Sequence, residues 1–341
     1  MSDPRPEARI TGLDDLLALI PFLLGFAPDD SLVIAALDER AARLITAVRV
    51  DLALGEQPPA AVQDTLAQVA GTLAAHGCTA VVVAGYGTLD RILRLLDVLP
   101  GTLADTGITL HDTVQVGDRR YRHLDTTTTG GRRPWVPFDP AVNAAATAAI
   151  VAGLAVLPDR AALAATLAPV TGAAQLRMAA ATVTAVARIR QYAAGQHRGD
   201  GFDPAGLEII GHTLLKATRQ RLERLKAAYS AGRSAADEDA ALLSALLGWP
   251  AAWTIAARQS TGAPWQIEMW SDLVRRAQPP FVTPVANLLA LTAVQAGHGA
   301  LASMAVDRAL QADPGNRVAG VLRDAIAVGI APSTMARLLH D

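Results

Sequence analysis

Asp29, Asp30 and Asp51 are the residues whose types and placement first suggest chemistry. Pro28 fixes the backbone ahead of two adjacent carboxylates, and an apolar run from Ser31 to Leu37 follows them. Asp51 closes a second such run, Arg43–Val50. If the two runs pair antiparallel, the start of one lies beside the end of the other. Three carboxylates then converge, with Arg49 close by. Such a group could hold Mg²⁺ or act as acid and base. The same residues also suit an Asx-type turn with an Arg–Asp ion pair at the surface.

Gly85-Tyr86-Gly87-Thr88 is the second candidate. It lies between an apolar run and a helical pattern, where phosphates settle in open α/β sheets, so Gly85, Gly87 and Thr88 could cradle an anion. Asp90 stands where the third glycine of the dinucleotide fingerprint belongs, and there is no Gly-Lys-Ser/Thr of a P-loop, so no cofactor is named. A tight strand-to-helix turn capped by Thr88, with Asp90 serving the helix dipole, is the simpler alternative.

The third candidate is arginine-rich. Arg119, Arg120, Arg122, Arg132 and Arg133 surround Tyr121 and precede Trp135, and Thr126–Arg133 adds hydroxyls and backbone amides. This patch could bind a small anionic ligand, or weakly a single-stranded nucleic acid by stacking and phosphate contact. A solvated hairpin followed by an interdomain loop would have the same sequence. The seven histidines are scattered with no pair at metal-ligand spacing on one helix, and no Gly-x-Ser-x-Gly elbow occurs. No metal site is assigned. Cys78 is the single cysteine, which excludes an internal disulfide, and its place before an apolar run suits a buried structural thiol.

The elements that must position these residues alternate in the first half. Leu13–Ile20 is a short helix ending at Pro21, and Ser31–Leu37 with Arg43–Val50 makes a hairpin turning at Asp38-Glu39-Arg40. Pro59–His76 is a helix stopped by Gly77, Thr79–Gly85 a buried central strand, and Thr88–Leu99 a helix with Pro100 beyond its end. Ile108–Val116 and Arg119–Leu124 form a second hairpin closed at Gly117-Asp118. This order predicts a mixed sheet with packed helices over residues 1–140, and Asp125–Pro140 reads as the loop that ends it.

Residues 141–341 read as helix throughout. Alanine, the strongest helix former, supplies 70 of the 341 residues, and 52 of these follow residue 140. Pro284–Asp313 has small residues along two helices around Gly297-His298-Gly299 and stops at Asp313-Pro314, a pattern like a tetratricopeptide hairpin. The fold class expected is therefore α+β: a small mixed β-sheet with flanking helices, then an all-α, tetratricopeptide-like domain. A formal charge of −2 lacks the basic footprint of a dedicated nucleic-acid binder. No apolar run is long enough for a membrane span, and a cytoplasmic setting is expected.

The string Ile20-Pro21-Phe22-Leu23-Leu24-Gly25-Phe26-Ala27-Pro28-Asp29-Asp30-Ser31-Leu32-Val33, the later Arg49-Val50-Asp51-Leu52 and the stretch Gly297–Pro314 together resemble the actinobacterial domain-of-unknown-function 4192 family. The resemblance spans nearly the whole chain. It departs at Thr126–Arg133, where many members look to carry cysteines, so no metal or disulfide role of theirs carries over. It implies a fold and a lineage but no reaction. The function expected is ligand sensing or protein interaction, with the helical half binding a protein partner or a second copy of itself. The alternatives are a metal-dependent enzyme on a phosphate-containing substrate using Asp29, Asp30 and Asp51, or a weak nucleic-acid binder through Arg119–Arg133.

Overall fold

The computed structural model describes residues 12–38, 43–125, 133–151, 155–194 and 204–327. The chain divides into two compact units between Leu163 and Ala164. The first unit runs α1 (Leu13–Leu24), β1 (Ser31–Asp38), β2 (Arg43–Asp51), a 3-10 turn (Leu52–Glu56), α2 (Pro59–Ala75), β3 (Ala80–Tyr86), α3 (Leu89–Leu96) and α4 (Leu99–Asp105). Then come β4 (Thr109–Gly117), β5 (Arg120–His123), the short β6 (Val136–Pro137), a second 3-10 turn (Pro140–Val142) and α5 (Ala144–Val151). Glu39 and Arg40 of the first hairpin turn lie outside the described residues, as does most of the Thr126–Arg133 loop.

The six strands form one mixed sheet in the order β2-β1-β3-β4-β5-β6. Every neighbouring pair is antiparallel except β3 with β4. Residues alternate between the two faces of a strand, and both faces here are covered. Leu32, Ile34, Val81 and Val83 pack with Val62, Leu66 and Leu73 of α2, Ile92 and Leu95 of α3, and Leu99 and Leu103 of α4. On the other face Leu16 of α1 meets Ala35 and Val82, and Leu19 packs with Ala145 and Ala149 of α5. β3, buried from Ala80 to Gly85, is the central strand its apolar run predicts.

Two boundaries differ from the pattern. α1 continues through Pro21 to Gly25, whose left-handed backbone (φ 80°) donates its N–H to the Pro21 carbonyl at 2.8 Å. A proline inside a helix forfeits one hydrogen bond and costs about 3 kcal/mol. Burial of Leu16 to Ile20 and of Leu24 on two sides outweighs it. The single helix expected over Thr88–Leu99 is instead two, α3 and α4. Pro100 falls in the first turn of α4, where a missing N–H costs nothing.

The second unit is all helix among its described residues. After α6 (Arg160–Ala165), which spans the division, come α7 (Gly172–Ala194), α8 (Pro204–Tyr229), α9 (Asp237–Leu246), α10 (Pro250–Arg258), α11 (Pro264–Arg276), α12 (Val282–Ala296), α13 (Gly299–Ala312) and α14 (Arg317–Ala327). Gly297, at φ 77°, turns the chain between α12 and α13, and Ala302, Ala305 and Ala309 are buried completely. Asn316 caps α14 by accepting from Ala319 N at 3.0 Å and reaches Asn287 of α12. Among the described residues no single helix is long and apolar enough to cross a membrane.

Candidate functional site

Register brings the candidates to one edge of the sheet. Ser31 stands opposite Asp51 on β2 and Tyr86 on β3, Tyr86 is level with Val116, Gly117 faces Arg120, and Arg120 faces Pro137. The start of β1 and the end of β2 therefore share the edge where the parallel pair β3 and β4 ends. That carboxyl edge is where ligands settle in open α/β sheets. A cleft of about 450 Å³ opens there, lined by Pro28, Asp29, Tyr86, Gly87, Gln115, Val116, Gly117, Asp118, Arg120 and Trp135.

The aspartates arrive at this edge but take separate partners. Asp30 has left-handed backbone (φ 46°) and ion-pairs with Arg91 of α3, which also binds Glu56 at 3.1 Å. The Asp30 hydrogen bond and the nearby carboxylates hold the Arg91 guanidinium above its ordinary range. Asp51 accepts from Ala53 N, starting the 3-10 turn, and lies 3.6 Å from Arg49. Asp29 accepts from Asp30 N at 2.9 Å, an Asx-type contact, and is the one of the three that lines the cleft. Among the described residues no three carboxylate, histidine or cysteine side chains come together as metal ligands.

The glycines of the Gly85–Thr88 turn have packing reasons. A Cβ on Gly85 would stand 2.7 to 2.9 Å from carbons of Ile92, so glycine lets α3 lie close against β3. Gly87 combines a positive φ of 139° with a Cβ position 2.8 Å from Leu52 and 3.4 Å from the Asp30 carboxylate. An internal carboxylate thus sits beside the turn expected to hold phosphate. Thr88 occupies the N-cap position with extended backbone, without a side-chain cap bond.

The arginines separate into pairs with different surroundings. Arg119, in the left-handed turn of the hairpin (φ 50°), ion-pairs with Asp139. Arg120 and Arg122 project from the same side of β5, and both guanidinium carbons lie over the Trp135 ring, 4.8 and 4.7 Å from its centroid. Arg122 also donates its Nε–H to Gln115 Oε1 at 2.9 Å, and Gln115 Nε2 donates to the Gly87 carbonyl at 2.8 Å. A continuous chain therefore links the turn before α3 to Gln115, Arg122, Trp135 and Arg120. Neither arginine on the tryptophan pairs with a carboxylate among the described residues, since the Gln115 amide is neutral. Arg133 is exposed, and Arg132 lies outside the described residues.

Sequence reasoning missed Gln115. It is a neutral side chain in a strand, and only the hydrogen bonds that tie both ends of its amide reveal its place. Tyr86 was seen only as part of a glycine turn. The residue also lines the cleft, and burial pushes its phenol above the usual tyrosine range. A larger concavity of about 570 Å³ runs along α8, but its described lining, from Glu208 to Arg219, comes from that helix alone.

Comparison with known proteins places the chain in a family. It belongs to the family described as a domain of unknown function, DUF4192, whose model matches residues 14–333. No curated protein and no solved structure matches the chain.

Proposed function

We propose that the chain is a ligand-sensing and protein-interaction module. Its sheet unit takes a small anionic ligand at the carboxyl edge, and its helical unit engages a protein partner. The observation that carries the first part is the Arg120–Trp135–Arg122 stack. Two guanidinium groups lie on one indole beside a cleft, without a carboxylate partner among the described residues. Arg120, oriented by the ring, keeps its planar donor fork for a carboxylate or phosphate, whereas Arg122 already turns Nε and Nη2 to Gln115 Oε1 and supplies charge beside it. Gln115 is spent holding Arg122 and Gly87, so it acts by positioning. Asp29 and Asp118 at the rim disfavour highly charged polyanions, which selects for small ligands over nucleic acid.

For the helical unit, the α12–α13 hairpin with its Asp313-Pro314 stop is tetratricopeptide-like, and such hairpins present one helix face to peptide ligands. A cytoplasmic setting accords with this reading and with the buried, unpaired thiol of Cys78. The enzyme reading through Asp29, Asp30 and Asp51 is weaker, because Asp30 and Asp51 are already engaged by Arg91 and Arg49.

A thermal-shift panel of inorganic phosphate, pyrophosphate, adenosine monophosphate and benzoate tests the anion site. Binding to the native state raises the melting temperature by mass action. The expected result is stabilisation by at least one anion that is lost in Arg120→Ala and in Trp135→Ala. Equal stabilisation of wild type and both variants would remove the site from this cleft.

A further inference from the structure

Among the described residues α7 carries an exposed apolar seam. This helix turns Met178, Thr182 and Ala185 inward, and all three are buried. On its opposite side Ala173, Leu176, Ala180, Val183 and Ala187 are all exposed, Leu176 and Val183 at 72% each. Their spacing alternates between three and four residues, so over two heptads they fall in line on one face with the spacing of a coiled-coil seam. Over these two heptads alanine stands at the first positions and Leu176 and Val183 at the fourth, until Arg190 takes the next fourth position and ends the seam.

We infer that this seam is a self-association surface, on which two copies of the chain pair their α7 helices antiparallel. It rests on the reading of the helical unit as the interacting half and names its partner as a second copy. In an antiparallel pair, each first-position layer faces a fourth-position layer of the other helix. Leu176 then meets Ala187 of the second copy, Ala180 meets Val183, and the two-fold axis repeats both contacts in reverse. Every layer sets a large side chain against a small one, so the helices approach closely without voids or overlap. A parallel pair would stack alanine on alanine and leave gaps.

Charge favours the same orientation. α7 has no acidic residue; its charged side chains are Arg177, Arg188 and Arg190. Arg177 is held by Asp237 of its own chain, and Arg188 contacts the Tyr192 hydroxyl. Parallel pairing would set the two copies of Arg190, at the next fourth position of the seam, against each other, with no acid on α7 to relieve the repulsion. Antiparallel pairing puts the two copies of Arg190 at opposite ends of the seam, each beside Ala173 of the other copy.

Sedimentation velocity of the full chain from about 1 to 100 μM tests the proposal. The expected result is a concentration-dependent species of twice the 35.5 kDa chain mass, replaced by monomer in Leu176→Glu/Val183→Glu. Should that variant lose its circular dichroism, the milder Leu176→Gln/Val183→Gln is expected to fold and shift the equilibrium at least tenfold toward monomer. Orientation is read by mild oxidation of Leu176→Cys/Ala187→Cys, which is expected to give a covalent dimer. Leu176→Cys alone would crosslink only in a parallel pair. A monomer at the highest concentration, a dimer indifferent to folded variants, or a monomer whose α7 variants lose only binding to anionic vesicles would each overturn the inference. A monomeric chain that still captures a partner through α12–α13 would keep the interaction reading while removing this one.

Discussion

Arg276 and Arg120 have the same guanidinium group in opposite circumstances. Arg276, at the end of α11, is 8% exposed and binds Asp237 at 2.6 Å, Asp272 at 2.8 Å and the Ala235 carbonyl at 3.0 Å. Burial works against its charge, and the two carboxylates outweigh burial to hold it above its ordinary range. Tyr229 at the end of α8 donates to the same Asp272, so one cluster ties together α8, α9 and α11. Arg120 is exposed, lies on Trp135 and pairs with no carboxylate among the described residues. The first arginine has its charge and donors consumed inside the fold. The second is oriented but uncommitted. That difference separates a structural cation from one available to a ligand.

The contrast can be broken by mutation. Arg276→Ala takes from Asp237 and Asp272 their most buried cation, leaving only the exposed Arg177 and the Tyr229 hydroxyl, and a urea titration is expected to show a loss of about 3 kcal/mol. A cost no larger than that of Arg120→Ala would erase the distinction. Gly85→Ala forces Ile92 away from β3 and is expected to cost about 1–3 kcal/mol in the same titration. This tests whether the glycine turn beside the cleft is a packing device.

Alkaline pH sharpens the Arg276 side. Burial, followed by the Asp272 contact, raises the Tyr229 phenol above its ordinary value of 10.0. The folded state thus holds this proton more tightly than the unfolded chain. Its contribution is complete below pH 10 and is lost as pH rises through the folded value. Melting temperatures are expected to fall more steeply above pH 10 in wild type than in Tyr229→Phe. The smallest stability change belongs to Arg120→Ala, about 0.5–1 kcal/mol for an exposed cation on an aromatic ring. Its signature is loss of the anion-induced thermal shift with the fold intact. A larger collapse would make Arg120 structural as well.

Much of the sheet unit was legible. The two apolar runs around Asp38 pair with Ser31 opposite Asp51, as a short hairpin requires, so the convergence of Asp29 and Asp51 at one edge was readable from spacing. What those carboxylates bind was not. Arg91 lies 61 residues beyond Asp30 on a different element, and nothing local marks it as the partner. The Arg119–Arg133 run read as one patch, yet strand alternation sends Arg120 and Arg122 to Trp135 while a left-handed turn takes Arg119 to Asp139.

Local physics determined the rest directly. Apolar period, proline and glycine positions and alanine content specify a mixed sheet followed by helices, because backbone preference and burial act over a few residues. Tertiary structure alone decided which polar groups are spent and which are left available. The sequence supplies arginines, aspartates and a glutamine; only the sheet register and the packing of α3 set their distances. Coulomb and hydrogen-bond energies depend on those distances and on burial, and both are properties of the folded chain.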